Sequence, residues 1–313
     1  MNKKRNGLLE LYRFILCFWP LYYHNFFFWE RDYGKFTVAE LAVDFFFMLS
    51  GFFLMRAMRR EKETPILKGT VKIMLGRVKP MMFTMCFIAA FNLICVALFI
   101  RGNYINTLFE LFKYWWFVLY LTVAIGLLYL VYRLLKNEKL FAVFLAFLAI
   151  GMASLHYCVV ELEMFSWMLV FFTRAFGCLS VGILISYIPE WKGGKFNLAI
   201  PFVGLLIPVL LYFAYNEKTF LIRLLMIAMF GALMYFSSNI SIGGIAFDFL
   251  GKLSVRIYLY MAFITMFEIL GLTNHRVLFV IDVALAVMDV ILTTYRQKYL
   301  ALKREKSEEP ATV

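Results

Sequence analysis

Ten separate stretches of this chain are long and apolar enough to cross a bilayer, and that repetition constrains everything else. A membrane-crossing helix needs about 20 apolar residues. Runs of that kind are expected near 8–29, 36–56, 80–100, 114–133, 139–158, 165–188, 195–215, 219–236, 254–272 and 277–295. They are too many for the single core of a soluble domain. Composition agrees, with 63% hydrophobic and 17% charged residues against roughly 45–50% apolar and 25% charged in soluble globular domains. With 36 Phe and 18 Tyr the chain also lies far from disordered sequences, which need low hydrophobicity. The expected fold class is an all-α integral membrane protein of ten transmembrane helices. It forms one domain over 1–299, followed by a short charged cytoplasmic tail, 300–313.

The net charge of +12 does not point to nucleic acid, because the basic residues sit in short segments between the apolar runs. They read as topology signals. With ten spans, one side holds 23 Lys and Arg, Arg256 among them, and the other 7, Arg223 among them, with Arg13 and Arg174 lying within spans. The richer side is expected to be cytoplasmic, together with both termini. The segment 59–79, basic and spaced with Ile66, Leu67, Val71, Met74 and Leu75, suits an amphipathic helix lying on the inner leaflet. The first span lacks a small-residue cleavage site and is expected to stay in the mature protein. The cysteines Cys17, Cys86, Cys95, Cys158 and Cys178 form no CxxC pair and read as free thiols in apolar surroundings.

Ionisable residues inside a membrane are costly and usually functional. On helix 1, Arg13 and His24 stand about 16 Å apart along the axis and on nearly the same face. Helix 2 returns antiparallel after a short loop, with Glu40 and Asp44 one turn apart, which brings both carboxylates to the depth of His24. A carboxylate accepting the imidazole N–H would fix its tautomer and strengthen it as a base. Ser50 and Gly51 come level with Arg13, where small residues allow another chain or a ligand close to the backbone. Arg174, Glu268 and Asp282 also fall in the outer half. Arg174 reads as the ion-pair partner of a carboxylate such as Asp44, or as a substrate contact. His156 and His275 lack the spacing for a zinc site with His24, and no metal is expected. The Phe45, Phe46, Phe47 run and the Trp115, Trp116 pair read as lipid-facing or interfacial residues.

The Arg13–His24 spacing, followed by Val43-Asp44-Phe45-Phe46-Phe47-Met48-Leu49-Ser50-Gly51-Phe52-Phe53-Leu54, closely resembles the opening of membrane acyltransferase family 3. In that family the first helix carries Arg-x10-His and the second an Asp-x-Phe-Phe-x-x-Ser-Gly signature. Arg77-Val78-Lys79-Pro80 resembles a shortened form of the family's basic stretch before helix 3, with Lys where Arg is usual. Leu250-Gly251-Lys252-Leu253-Ser254 and Ile257-Tyr258-Leu259 resemble the approach to the ninth helix, where the family commonly has a His and this chain has Met261.

The resemblance implies a ten-helix core in a stand-alone form. It also implies transfer of an acyl group, usually acetyl, from acyl-CoA to a hydroxyl of an envelope carbohydrate or glycolipid. The chain is then expected in a bacterial plasma membrane as an O-acyltransferase with acyl-CoA as co-substrate. It would act alone or with a separate extracytoplasmic acyl-accepting protein. His24 would be the general base, with Asp44 or Glu40 orienting it. Arg13, Arg77 and Lys79 would hold the coenzyme phosphates, and Ser50, Gly51 and Arg174 would line the substrate path. The alternative class is a transporter or flippase for an envelope saccharide or lipid precursor, in which the outer-half carboxylates would relay protons. Such proteins usually carry repeats and paired broken helices, and neither is evident in this sequence.

Overall fold

In lipid every backbone polar group must be satisfied within the chain, and a helix does this without needing a second segment. A computed structural model describes residues 6–22, 38–99, 107, 115–161, 167–189, 199–200, 203–204, 206–207, 220–238, 240, 242–272 and 274–308. Among these there are nine long helices and no strand. They are α1 (Gly7–Tyr22), α2 (Val38–Arg60), α3 (Ile66–Phe99), α4 (Trp116–Leu135), α5 (Glu138–Glu161), α6 (Trp167–Ile185), α7 (Phe220–Ser238), α8 (Ile245–Ile269) and α9 (His275–Glu308). A helix stands at nine of the ten expected positions. The seventh, 195–215, falls largely outside the described residues. Within the described residues, six helices have the length and apolarity to cross a membrane, and α7 adds a shorter apolar stretch.

Two departures from the sequence reading concern helix ends. The expected surface helix over 59–79 does not exist as a separate element. Arg59 and Arg60 close α2, Glu61–Pro65 turn the chain, and α3 runs without interruption through Pro80. Lys79-Pro80 looks like a helix boundary because a proline disfavours helical backbone before it, yet prolines are tolerated inside helices of membrane proteins. At 34 residues α3 is about 51 Å long, more than the roughly 30 Å of hydrocarbon. Likewise α9 continues to Glu308, so much of the expected tail is helical.

The centre of the bundle is α2 against α6. A Cβ on Gly51 would collide with the carbonyl oxygen of Leu179, and one on Gly182 with the carbonyl oxygen of Met48. Two glycines thus let the backbones touch, the device membrane helices use where lipid offers no hydrophobic drive. This central position buries Phe45 and Phe47 completely, and their rings meet Phe230 and Phe117. The expectation that the Phe45–Phe47 run faces lipid is therefore corrected. Lipid-facing side chains come instead from the periphery, such as Leu98 on α3 and Phe147 and Ile150 on α5, all more than two-thirds exposed.

The start of α1 is fixed by Asn6. Its Oδ1 accepts from the backbone N–H groups of Leu8 and Leu9 at 3.1 and 3.2 Å, the N-cap arrangement. Its Nδ2 donates to the carbonyls of Ser237 in the last turn of α7 and of Ile240 just beyond it, and the Gly7 N–H donates to the Ile242 carbonyl at 2.6 Å. The register of α1, and hence the depth of Arg13, is set by these contacts.

Candidate active site

Four helices converge on Asp44. Its carboxylate is fully buried on α2. Arg174 of α6 donates from Nε to Oδ1 at 2.9 Å, and Arg223 of α7 donates from a terminal nitrogen to Oδ2 at 3.0 Å. A terminal nitrogen of Arg174 donates to the Glu40 carbonyl, one turn earlier on α2. Arg223 also contacts Nε2 of His156 on α5. The proton arrangement of His156 follows from its other neighbour. The Thr173 hydroxyl donates to the Val170 carbonyl at 2.9 Å, so it accepts from Nδ1 of His156 at 3.1 Å, leaving the Nε2 lone pair to accept from Arg223. The result is one continuous hydrogen-bonded chain from Val170 through Thr173, His156, Arg223, Asp44 and Arg174 to the Glu40 carbonyl.

The chain is dry. Asp44, His156, Thr173, Arg174 and Arg223 are all buried. Taking such charges out of water is expensive unless each is paired and hydrogen-bonded, and here each is. The Glu40 carboxyl lies within electrostatic reach of both arginines. The Arg174 guanidinium sits 5.8 Å above the Trp116 ring, which is stacked on Phe171 at 3.8 Å. Trp116 therefore supports the cluster and is not simply an interfacial belt residue. Trp115 donates from its indole to the Leu259 carbonyl at 3.4 Å.

Of the outer residues singled out from sequence, Asp44, Arg174 and the backbone of Glu40 come together. His24 lies outside the described residues. The side chain of Glu268 does too, while Asp282 is buried elsewhere, on α9. The expected pairing of Arg174 with Asp44 is present, but each Asp44 oxygen already accepts from a guanidinium. His156 has both ring nitrogens engaged, which leaves it no lone pair with which to act as a base. Arg223 is the residue that sequence reasoning under-read. It counts there among outer loop charges, although its place only three residues after Phe220 on an apolar helix is the signal that it faces inward.

On the side expected to be cytoplasmic, Arg13 pairs with Glu10 at 2.8 Å. Glu10 itself packs where a Cβ on Gly251 of α8 would stand. Arg77 of α3 is within electrostatic reach of Arg13 and of Arg60 at the end of α2, so three guanidinium groups from three helices gather there. Lys79 is exposed and Ser50 half-buried. Gly51 is occupied by the Leu179 backbone, so its lack of a side chain serves the α2–α6 crossing.

The turn between α2 and α3 is held by Glu61, which sequence reasoning passed over. Its carboxylate accepts from Lys72 at 2.7 Å and Thr64 at 3.0 Å. Its carbonyl accepts from Tyr129 at 2.8 Å and Arg133 at 3.2 Å. The Lys72 ammonium holds the Glu61 carboxyl below its usual range, outweighing burial and aided by Thr64. A further buried pair, Arg256 with Asp289 at 3.0 Å, joins α8 to α9. Arg256 is thus a buried partner, not a surface topology signal.

A helical membrane bundle with buried ion pairs at two depths defines an integral membrane protein with polar sites inside it. The model of an acyltransferase domain, that of acyltransferase family 3, matches residues 6–294. The chain belongs to this family of membrane acyltransferases. No curated protein and no solved structure gives a match.

Proposed function

We propose that this acyltransferase moves an acyl group, acetyl by preference, from acyl-CoA to a hydroxyl of a cell-envelope carbohydrate or glycolipid in a bacterial plasma membrane. Family membership across residues 6–294 is the observation that carries this reading. Ten spans with both termini cytoplasmic place the basic α2–α3 region on the side where acyl-CoA is made. Arg13 and Arg77, joined by Arg60 and flanked by Lys79, then hold the coenzyme phosphates by charge-assisted hydrogen bonds. His24 accepts the proton of the acceptor hydroxyl as its oxygen attacks the thioester carbonyl. The Asp44, Arg174 and Arg223 network fixes the outer end of α2, on which Glu40 stands, and so holds the wall opposite helix 1.

The reading is tested with radiolabelled acetyl-CoA and membranes containing the full chain, following label into envelope material. Label should enter only when the chain is present. Arg77→Ala should raise the apparent KM for acetyl-CoA, and the difference from wild type should widen as salt is lowered, because screening masks the lost charge at high salt. A KM equal to that of wild type at low salt would remove Arg77 from the donor site.

A further inference from the structure

Asp282 stands apart from every other buried carboxylate described. It is fully buried on α9, and neither carboxyl oxygen has a hydrogen-bond partner among the described residues. Buried polar groups are nearly always satisfied, and an exception calls for a reason. One inside a membrane is by default a functional feature. The groups around it are few. From α1 comes Cys17, with Arg13 one turn further in, and the Cys17 thiol is already directed to the Phe14 carbonyl at 3.0 Å. From α8 comes Tyr260, which also feels Asp289 and Arg256. On α9 itself, His275 lies seven residues outward and Asp289 seven inward, about 10 Å along the axis in each direction and near the same face. The rings of Phe18 and Phe279, 6.3 Å apart, close the α1–α9 side.

We propose that Asp282 is a proton-carrying residue of the acyl transfer. The inference rests on the reading of the chain as an acyl-CoA-dependent transferase. In that reaction the acceptor oxygen bonds to the carbonyl carbon and the C–S bond breaks with its electron pair on sulfur. The proton lost by the hydroxyl ends on the thiolate. The oxygen and the sulfur meet at one carbon, where the general base takes the proton; the coenzyme then leaves toward the cytoplasm as thiolate, and the proton follows it inward to end on the sulfur. Asp282 stands between His275 and Asp289 on α9. It gives its proton inward, in the direction of Asp289, and takes one from the outer half, so its carboxyl is unchanged after each turnover. A buried carboxyl free of fixed donors suits this task, because an ion pair like that of Asp44 would hold the group in its charged form.

Infrared spectroscopy of the purified full chain reads the proton directly, with no acceptor needed. At neutral pH the wild type should show the carbonyl stretch of a protonated carboxylic acid, shifted in D2O and missing from Asp282→Asn. In the labelled acetyl-CoA assay, Asp282→Asn should lose about 10²-fold in rate with the KM for acetyl-CoA unchanged. Asp282→Glu, which keeps an exchangeable proton, should recover part of the loss and shift the pH profile. An identical carboxyl band in wild type and Asp282→Asn overturns the proposal. A wild-type rate and pH profile in Asp282→Asn also overturns it, as does equal loss in a well-folded Asp282→Glu. If wild type transfers no label at all, the transferase reading fails, while the infrared band still decides whether Asp282 holds a proton.

Discussion

Asp44 and Asp282 are both fully buried in the helical bundle, and their surroundings are opposite. Asp44 is bracketed by two guanidinium groups at 2.9 and 3.0 Å, each of which has a further partner. Asp282 has no hydrogen-bond partner among the described residues. The first arrangement cross-links α2, α5, α6 and α7 and leaves little freedom to any member. The second contributes no bond to the fold, so its presence has to be explained by what it does. Among the described buried carboxylates, the number of fixed donors separates a structural hub such as Asp44 from the working group proposed at Asp282.

The largest effect should come from breaking the hub. Arg174→Leu removes one partner of a desolvated charge, which typically costs about 3–5 kcal/mol, and should lower the melting temperature of the purified protein sharply. Asp282→Leu, which replaces an unsatisfied polar group by an apolar one, should leave that temperature unchanged or raise it. Equal losses in the two variants would erase the distinction. An Asp44→Leu, Arg174→Leu double variant should lose less than the sum of its singles, since the two residues share one interaction.

A smaller effect is expected at the α2–α3 turn. Because Lys72 depresses the Glu61 carboxyl, this group stabilises the fold at pH above its unfolded value of about 4.3. That contribution is lost as pH falls through the lower folded value. Glu61→Gln should therefore melt earlier than wild type at neutral pH and converge with it in acid. A gap that persists in strong acid would mean that the charge of Glu61 does not carry the difference, since both variants keep the backbone contacts with Tyr129 and Arg133.

Much of this was legible in the residues. Apolar run length located the helices, since hydropathy over about 20 residues is what a bilayer selects. The turn spacing of Glu40 and Asp44 and the lone Arg174 were enough to anticipate an ion pair. What escaped were features that depend on which helix is central. Phe45 and Phe47 look no different from lipid-facing phenylalanines, because lipid and protein interior are equally apolar. Gly51 reads equally as a ligand approach or a helix crossing, and only the Leu179 carbonyl decides. Arg223 and Arg256 read as topology charges by their nearness to span ends, whereas their partners Asp44 and Asp289 draw them inside. Pro80 concealed the continuity of α3 because its usual meaning comes from helices in water.

The most direct test of the account compares His24→Ala with Asp44→Asn in the labelled acetyl-CoA assay, after insertion and melting have been matched to wild type. If His24 is the general base, His24→Ala should lose about 10² to 10⁴ in transfer rate. Asp44→Asn, which acts by holding α2 in place, should lose less. A His24→Ala protein that still transfers label within a factor of about three of wild type, outside the range expected for a lost general base, would contradict the account.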